Sequence, residues 1–360
     1  MTNLNDDKGS VYRVIGLMSG TSLDGVDLAS CVFTLLEQGW GYRIEATETI
    51  SYPEEWLSLL PSLMQADAFT FAKANANLGF YFGKIIKDFI LSHHLEADFV
   101  ASHGHTVFHQ PGIGLTSQIG SGATIAATCG LPVVCDFRST DVALGGQGAP
   151  LVPIGDALLF SDYEFCLNLG GFSNVSYTAG GKRIAFDVCP VNTILNPLAQ
   201  IVGLSFDRDG LIARSGNIDS SLLGKLNAMT YYDLKPPKSL GFEWNNEYIW
   251  PLIDTANLSI PDLLSSVVEH IAIQLSLSLS EFECGKILVT GGGAKNVFLI
   301  ERFATHSKHS LVIPSDTIID YKEALIFAFL GLLRVREEVN CLSSVTGASR
   351  DSVGGAIFLP

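Results

Sequence analysis

Three glycine-rich turns and one strand-end carboxylate are the residues of this chain whose types and spacing suit chemistry. The turns are Met18-Ser19-Gly20-Thr21-Ser22-Leu23-Asp24-Gly25, Asn168-Leu169-Gly170-Gly171-Phe172-Ser173-Asn174 and Thr290-Gly291-Gly292-Gly293-Ala294-Lys295-Asn296. Each follows an apolar run that reads as a strand. Glycine lets backbone N–H groups close on an anion without a Cβ in the way, and the hydroxyls of Ser19, Thr21 and Ser22 add donors. No turn has the G-x-x-x-x-G-K-[ST] pattern of a P-loop, and none is a G-x-G-x-x-G opening a helix. One such turn alone reads as an ordinary tight turn. Three of them, each at the expected place in a repeated fold, favour a nucleotide cradle. The first two suit phosphates; the third, between a buried strand and a helix, suits an adenine or ribose lying on the backbone.

A second constellation follows the apolar run Leu131 to Val134, which reads as a strand. Asp136-Phe137-Arg138-Ser139-Thr140-Asp141 leads into Gly145-Gly146-Gln147-Gly148-Ala149-Pro150. Carboxylates and a guanidinium give fixed acceptor and donor geometry for a polyhydroxylated ligand. An Asp–Arg ion pair pinning the loop is an equal reading of the same spacing. Asp187 ends a strand just before Pro190 and Asn192. A carboxylate there can act as general base towards a hydroxyl or water, although structural aspartates at turns are common. His103-Gly104-His105, with His109 close behind, puts two imidazoles at i and i+2, a spacing that can hold a metal. No other Cys, His or carboxylate cluster has ligand spacing, so these read as hydrogen-bonding loop histidines and the metal ligands stay unknown.

The chain that must position these groups has 360 residues, enough for two domains with cores of their own. It is 47% hydrophobic and 16% charged, which argues against disorder. A net charge of −15 argues against nucleic acid or anionic lipid as partners. Residues Met1 to Ser10 carry no signal pattern. The longest apolar stretch, Ala324 to Leu333, is too short to span a bilayer and reads as a buried helix. The seven scattered cysteines, without C-x-x-C, fit reduced core thiols of a cytoplasmic enzyme.

Hydrophobic patterning predicts strands at Val11 to Leu17, Val26 to Phe33 and Tyr42 to Ile50, a helix over Phe69 to His94 and a short strand at Phe99 to Ser102. The order then recurs: strands at Phe165 to Leu169, Phe172 to Tyr177 and Arg183 to Asp187, a helix over Ile260 to Phe282 and a strand at Lys286 to Thr290. A duplicated α/β fold with two domains around a cleft follows, divided into 1–133 plus about 345–360 and 134–344. Clefts of that kind are where ligands usually sit.

At this point the chain resembles a known family. Gly16 to Asp27, Ser102 to His109, Asp136-Phe137-Arg138 with Gly145 to Pro153, Leu167 to Asn174, Pro236-Pro237-Lys238-Ser239 with Gly241 and Glu243, Gly291 to Asn296, Glu323-Ala324 with Phe327-Ala328, and Thr346-Gly347-Ala348 look like the anhydro-N-acetylmuramic acid kinases. The resemblance implies an actin-like, sugar-kinase/heat-shock-protein ATPase fold. It also implies ATP- and Mg²⁺-dependent opening of a 1,6-anhydro ring with phosphorylation at O6, in cell-wall recycling. Asp187 matches the catalytic base. ATP is implied at Ser19, Gly20, Thr21, Ser22, Leu23, Asp24, Gly25, Val26, Asp27, Asn168, Gly170, Gly171, Asn174, Gly291, Gly292, Gly293 and Asn296. The sugar is implied at His103, Asp136, Arg138, Asp141, Gln147, Asn192 and Glu323. The partners implied are ATP and the anhydro sugar, with the quaternary state open, a homodimer included.

The chain departs from the family's pattern after Asp187, where Val188-Cys189-Pro190-Val191-Asn192 replaces Thr-Gly-Pro-Gly-Asn. It also departs at His105, Ser121, Asn196 and Phe242, where glutamine, aspartate, an acidic residue and arginine are usual. Two other readings therefore stand beside the first: a kinase for another anhydro sugar such as levoglucosan, and a nucleotide-binding regulatory protein without turnover.

Overall fold

The computed structural model describes residues 10–21 and 23–360. The chain divides into two compact units, one of residues up to Phe160 together with Tyr321–Pro360, the other Ser161–Asp320. In chain order the strands are β1 Val11–Ser19, β2 Val26–Leu36, β3 Gly39–Ile50, β4 Phe99–Gln110, β5 Leu115–Ile119, β6 Val133–Cys135, β7 Phe165–Leu169, β8 Phe172–Ala179, β9 Lys182–Pro190, β10 Lys286–Thr290, β11 Ser310–Val312 and β12 Ala356–Phe358.

The first sheet runs β12-β6-β4-β1-β2-β3 with β5 on β4, and the second runs β11-β10-β7-β8-β9. In the first, β1/β2 and β2/β3 pair antiparallel, while β1/β4 and β4/β6 pair parallel. In the second, β7/β8 and β8/β9 pair antiparallel, while β7/β10 and β10/β11 pair parallel. Without β5 and β12 the two sheets share one strand order and one set of pairing senses. The duplication is thus written in the topology, as the duplicated α/β fold expected from sequence requires.

Each sheet needs a helical crossover between its meander and its first parallel strand. In the first unit this is Ala68–Ser92, capped by Asp67, which accepts from Thr70 N–H at 2.8 Å. It buries Leu78, Phe82, Ile86 and Phe89, a spacing that keeps one face on the sheet. In the second unit it is Ile260–Ser278, capped by Ser259 and burying Leu264, Val268, Ile271 and Leu275. Each unit has its own apolar core. Gly16 in β1 lets the helix Asp316–Val335 come close, since a Cβ there would overlap the carbonyl oxygen of Ala324.

The boundaries differ from those drawn on sequence. Residues 134–160 stay with the first unit because β6 pairs with both β4 and β12, and because Gln147 N–H donates to Thr346 C=O at 2.8 Å. Residues 321–344 stay there too: Arg336 donates to the Tyr12 hydroxyl at 2.7 Å. Three local expectations are also corrected. β4 continues to Gln110, so His103, His105 and His109 lie on a strand, not in a loop. Its alternation is broken at Gly104, whose φ is +74°, so the i, i+2 argument fails there. β6 starts at Val133 rather than Leu131. β9 continues past Asp187 to Pro190. Among the described residues, no helix is long and apolar enough to cross a membrane. All seven cysteines are free thiols; Cys31, Cys166, Cys189 and Cys341 are buried and Cys284 is exposed.

Candidate active site

In the Ser161–Asp320 unit, Asp187 sits inside β9 beside a bulge. Asn174 pairs with Asp187 and Ser173 with Cys189, which leaves Val188 as the extra residue. The Asp187 N–H donates to Lys238 C=O at 3.2 Å, and its C=O accepts from the Tyr231 hydroxyl at 2.7 Å. Its Oδ2 accepts from Leu240 N–H at 2.9 Å, and no described residue holds Oδ1. Burial raises the carboxyl pKa above the usual aspartate range, opposed by the Leu240 N–H. A desolvated carboxylate with one oxygen held and one open is suited to taking a proton.

The departures that follow Asp187 point away from it. Val188, Cys189 and Val191 are 2%, 0% and 0% exposed and belong to the core of this unit. Cys189 exchanges hydrogen bonds with Ser173, whose hydroxyl donates to Cys189 C=O at 2.9 Å. Phe242 is different. It is 66% exposed, and its ring meets that of Phe172 edge-on at 5.6 Å.

The turns of this unit converge. Asn168 lies between Gly170 and Gly291, because a Cβ on either glycine would meet its side-chain amide. Gly291 has φ +80° and would also press on the Leu169 carbonyl, so glycine is required there. Gly171 C=O accepts from the backbone N–H of Val191 and Thr193, and Asn192 N–H donates to Gly170 C=O. Asn296 caps the helix Val297–His306 by accepting from Leu299 N–H at 3.0 Å.

Beside them opens a cavity of about 410 Å³ lined by Asn192, Asn196, Gly292 and Asn296, all noted from sequence. Its other polar and aromatic walls come from residues 206–209, which sequence reasoning missed, and from Lys295 of the third glycine-rich turn. Phe206 is 49% exposed with the Arg208 guanidinium 5.9 Å from its ring centre, and Lys295 is paired with Asp320 at 2.6 Å. No motif marks 206–208; only the adjacency of an aromatic and an arginine hints at it. Tyr231, Lys238 and Leu240 were missed as well, although Lys238 lies in the Pro236–Ser239 run.

In the other unit, the turn after β1 is partly committed to the fold. The Ser19 hydroxyl is buried, 2.6 Å from Tyr52 OH and 3.0 Å from His105 Nδ1. Val26 is fully buried and Leu23 packs on the core. Asp27 accepts from Thr49 Oγ1 at 2.6 Å. Gly20 is half-buried, and Thr21 and Asp24 are exposed. Ser22 lies outside the described residues.

The 136–148 loop forms no Asp–Arg ion pair among the described residues. Arg138 donates to His103 Nε2 from Nε at 3.1 Å and from a terminal nitrogen at 2.8 Å, and also to Gly148 C=O at 2.6 Å. Burial holds the Arg138 pKa down at about 10, against the pull of Glu323. Asp141 is 1% exposed and fully engaged: Oδ2 accepts from Gly148 N–H at 2.7 Å, and Oδ1 accepts from Cys341 Sγ at 3.1 Å and Thr346 Oγ1 at 2.7 Å. It clasps the loop to the C-terminal segment. Asp136 is exposed and accepts from Ser139 Oγ at 2.5 Å, and Gln147 is exposed.

Glu323 is exposed by surface area yet closely surrounded by protein. Burial raises its pKa, with Arg138 and Lys322 opposing and Asp27 and Asp24 adding to the rise. Its neighbour Lys322 is buried against Asp156 at 2.7 Å. His103, Arg138 and Glu323, with Asp24 and Asp27, therefore form one electrostatic neighbourhood. Among the described residues no group of three or more His, Cys, Asp or Glu could hold a metal ion by itself.

A family profile described as anhydro-N-acetylmuramic acid kinase matches residues 12–360. The "Anhydro-N-acetylmuramic acid kinase" of Shewanella amazonensis is 34% identical over 364 residues, covering 96% of this chain and 98% of that protein. The protein of the same name from Shewanella loihica is 35% identical over 383 residues, covering 97% and 99%. Among solved structures, "Activator of the 2-Hydroxyisocaproyl-CoA Dehydratase from Clostridium difficile with bound ADPNP" aligns with a TM-score of 0.45 at 15% identity, covering 90% of this chain and 96% of that one. The family profile spans nearly the whole chain and the curated relatives match it end to end, so this chain belongs to the anhydro-N-acetylmuramic acid kinase family.

Proposed function

We propose that this protein uses ATP to open 1,6-anhydro-N-acetylmuramic acid hydrolytically and to phosphorylate O6, giving N-acetylmuramic acid 6-phosphate in the recycling of cell-wall sugars. The observation that carries the reading is the Asp187 carboxylate: half-buried, raised in pKa, held at one oxygen and open at the other. The anhydro sugar has no free 6-hydroxyl. Water must attack the anomeric carbon, the C1–O6 bond breaks, and O6 forms its new bond to the γ-phosphorus while ADP departs. Asp187 takes the proton that the attacking water loses.

Within the Ser161–Asp320 unit, the cavity beside Gly292 and Asn296 suits the nucleoside, with Phe206 and Arg208 offering a face for the base. The bare backbone at Gly170 and Gly171 suits phosphate oxygens. Within the other unit, Gly20 and Thr21 remain free to face an anion, and Arg138 and Glu323 suit sugar hydroxyls. Asp141 contributes by holding the loop that carries Gln147 and Gly148. Mg²⁺ fits this donor set as an ion carried by ATP phosphates and water with one or two carboxylates, for which Asp24 and Asp27 of the first turn are candidates. It would neutralise phosphate charge. Free thiols and consumption of ATP support a cytoplasmic location, and the charge of −15 supports small-molecule partners rather than nucleic acid.

One observation favours a related acceptor as the second reading. Phe242 puts an exposed apolar ring two residues from Leu240, which would suit a less polar anhydro sugar. The regulatory reading loses its main support, because Val188, Cys189 and Val191 are core side chains. The test is incubation with ATP, Mg²⁺ and a panel of 1,6-anhydro sugars, followed by detection of ADP and a sugar 6-phosphate. ADP formed equally with and without every sugar would sink the kinase reading.

A further inference from the structure

We propose that Tyr231 and Lys238 are positioning residues for Asp187, bracing the segment 231–240 against β9 so that Leu240 N–H stays on Oδ2 and the other oxygen is left for the reacting water. The inference rests on Asp187 being the general base.

Three links tie this segment to one residue. Tyr231 OH donates to Asp187 C=O at 2.7 Å, Asp187 N–H donates to Lys238 C=O at 3.2 Å, and Leu240 N–H donates to Asp187 Oδ2 at 2.9 Å. β9 is an edge strand. The Asp187 peptide groups would face open space on that side without a partner. A side chain carried on an unpaired edge beside a bulge has little to fix its direction.

Lys238 closes the loop on itself. Its Nζ donates to Tyr231 C=O at 3.2 Å and lies 4.6 Å from the Tyr231 ring centre and 5.6 Å from that of Phe186. An ammonium held between two aromatic faces and a carbonyl is a fixed strut rather than a mobile surface charge. Behind it, the Tyr231 ring packs on Trp244 at 5.4 Å and on Tyr232 at 5.8 Å. Tyr232 OH is 2.8 Å from His270 Nε2, and His270 Nδ1 is 2.7 Å from Asn227 Oδ1. Gln274 donates to the same Asn227 oxygen at 2.8 Å. The ring nitrogens of His270 can serve both neighbours in one tautomer, with Nδ1–H donating to Asn227 and Nε2 accepting from Tyr232. The brace therefore ends on the buried face of the helix Ile260–Ser278, where His270 and Gln274 are both buried.

The Tyr231 hydroxyl bonds the main-chain carbonyl of Asp187 rather than its carboxylate, so this hydrogen bond acts on the chemistry through geometry. If the segment loosens, the carboxylate loses the N–H that favours its ionised form while it stays buried. Its pKa then rises and its free oxygen drifts from the line of attack.

The test compares Tyr231→Phe, Lys238→Gln, Lys238→Arg and Asp187→Asn, each checked for fold by circular dichroism. Tyr231→Phe and Lys238→Gln are expected to lower kcat by about 10-fold or more with KM for sugar and ATP changed less than about 2-fold. The acid limb of kcat/KM should move to higher pH, and Lys238→Arg should recover most of the loss. An active Asp187→Asn overturns the general-base reading and this inference with it. An inactive Asp187→Asn, together with wild-type kcat and an unmoved acid limb in Tyr231→Phe and Lys238→Gln, overturns the positioning role alone. If Tyr231→Phe does not fold, the Lys238→Gln profile decides by the same criteria.

Discussion

Arg138 gives two hydrogen bonds to a single nitrogen of His103, at 3.1 and 2.8 Å, so the His103 Nε2 lone pair faces a cation. The ring proton must then sit on Nδ1, 2.9 Å from Gly104 C=O. Burial first, and the Arg138 charge second, hold the His103 pKa well below its usual value. Burial also pushes His105 down to about 4 and His270 down to about 3. In the unfolded chain all three titrate near ~6.5. The folded state then binds fewer protons, so their contribution to stability is complete above that pH and is lost as pH falls through it towards the folded values. Asp187 and Glu323, raised by burial, act in the opposite sense, against three imidazoles that lose their neutral form. The melting temperature is expected to fall between about pH 7.5 and about pH 5.5. A flat or rising Tm over that interval would show that these rings are not held neutral.

Asp187→Asn should leave circular dichroism and ATP binding unchanged while lowering kcat by about 100-fold or more, the scale of lost general-base catalysis. The base must be ionised to work, and burial raises its pKa. The acid limb of kcat/KM in the wild-type enzyme is therefore expected above the ordinary aspartate value of about 3.9. Near-wild-type turnover in the variant removes Asp187 from the reaction.

Asp141→Ala separates clasp from ligand contact. The change strands a backbone N–H, a thiol and a hydroxyl in a buried place. Loss of about 3 kcal/mol or more of stability is expected, because each unmet buried donor carries a desolvation cost. Thermal denaturation reads this directly. An unchanged Tm with a raised KM for the sugar would make Asp141 a ligand group instead.

Nucleotide affinity should respond to two changes far apart in sequence. Gly20→Val puts a branched side chain where a phosphate is proposed to approach, and Phe206→Ala removes a face of the cavity beside Gly292 and Asn296. Each is expected to weaken ATP binding about 10-fold by calorimetry, in line with loss of one stacking or close backbone contact. Unchanged affinity in Phe206→Ala would move the base out of that cavity.

Sequence alone determined the elements and the candidate base. Apolar runs, glycine turns and helical periodicity act over a few residues, so β1 to β3, β7 to β10 and the helices Ala68–Ser92 and Ile260–Ser278 were legible within a few positions at their ends. Only tertiary structure decided what the polar residues do. The bulge at Val188 depends on pairing with β8, and it turns Val188 and Cys189 into the core while leaving Asp187 open. Asp141 looks like a ligand group beside Arg138, yet its partners Cys341 and Thr346 lie some 200 residues away in the chain. His103 takes Arg138 across 35 residues, and Tyr231 reaches Asp187 across 44. Such choices are set by which buried donor meets which buried acceptor once the sheets have formed, and a desolvated polar group takes the partner that packing brings to it rather than the one beside it in sequence.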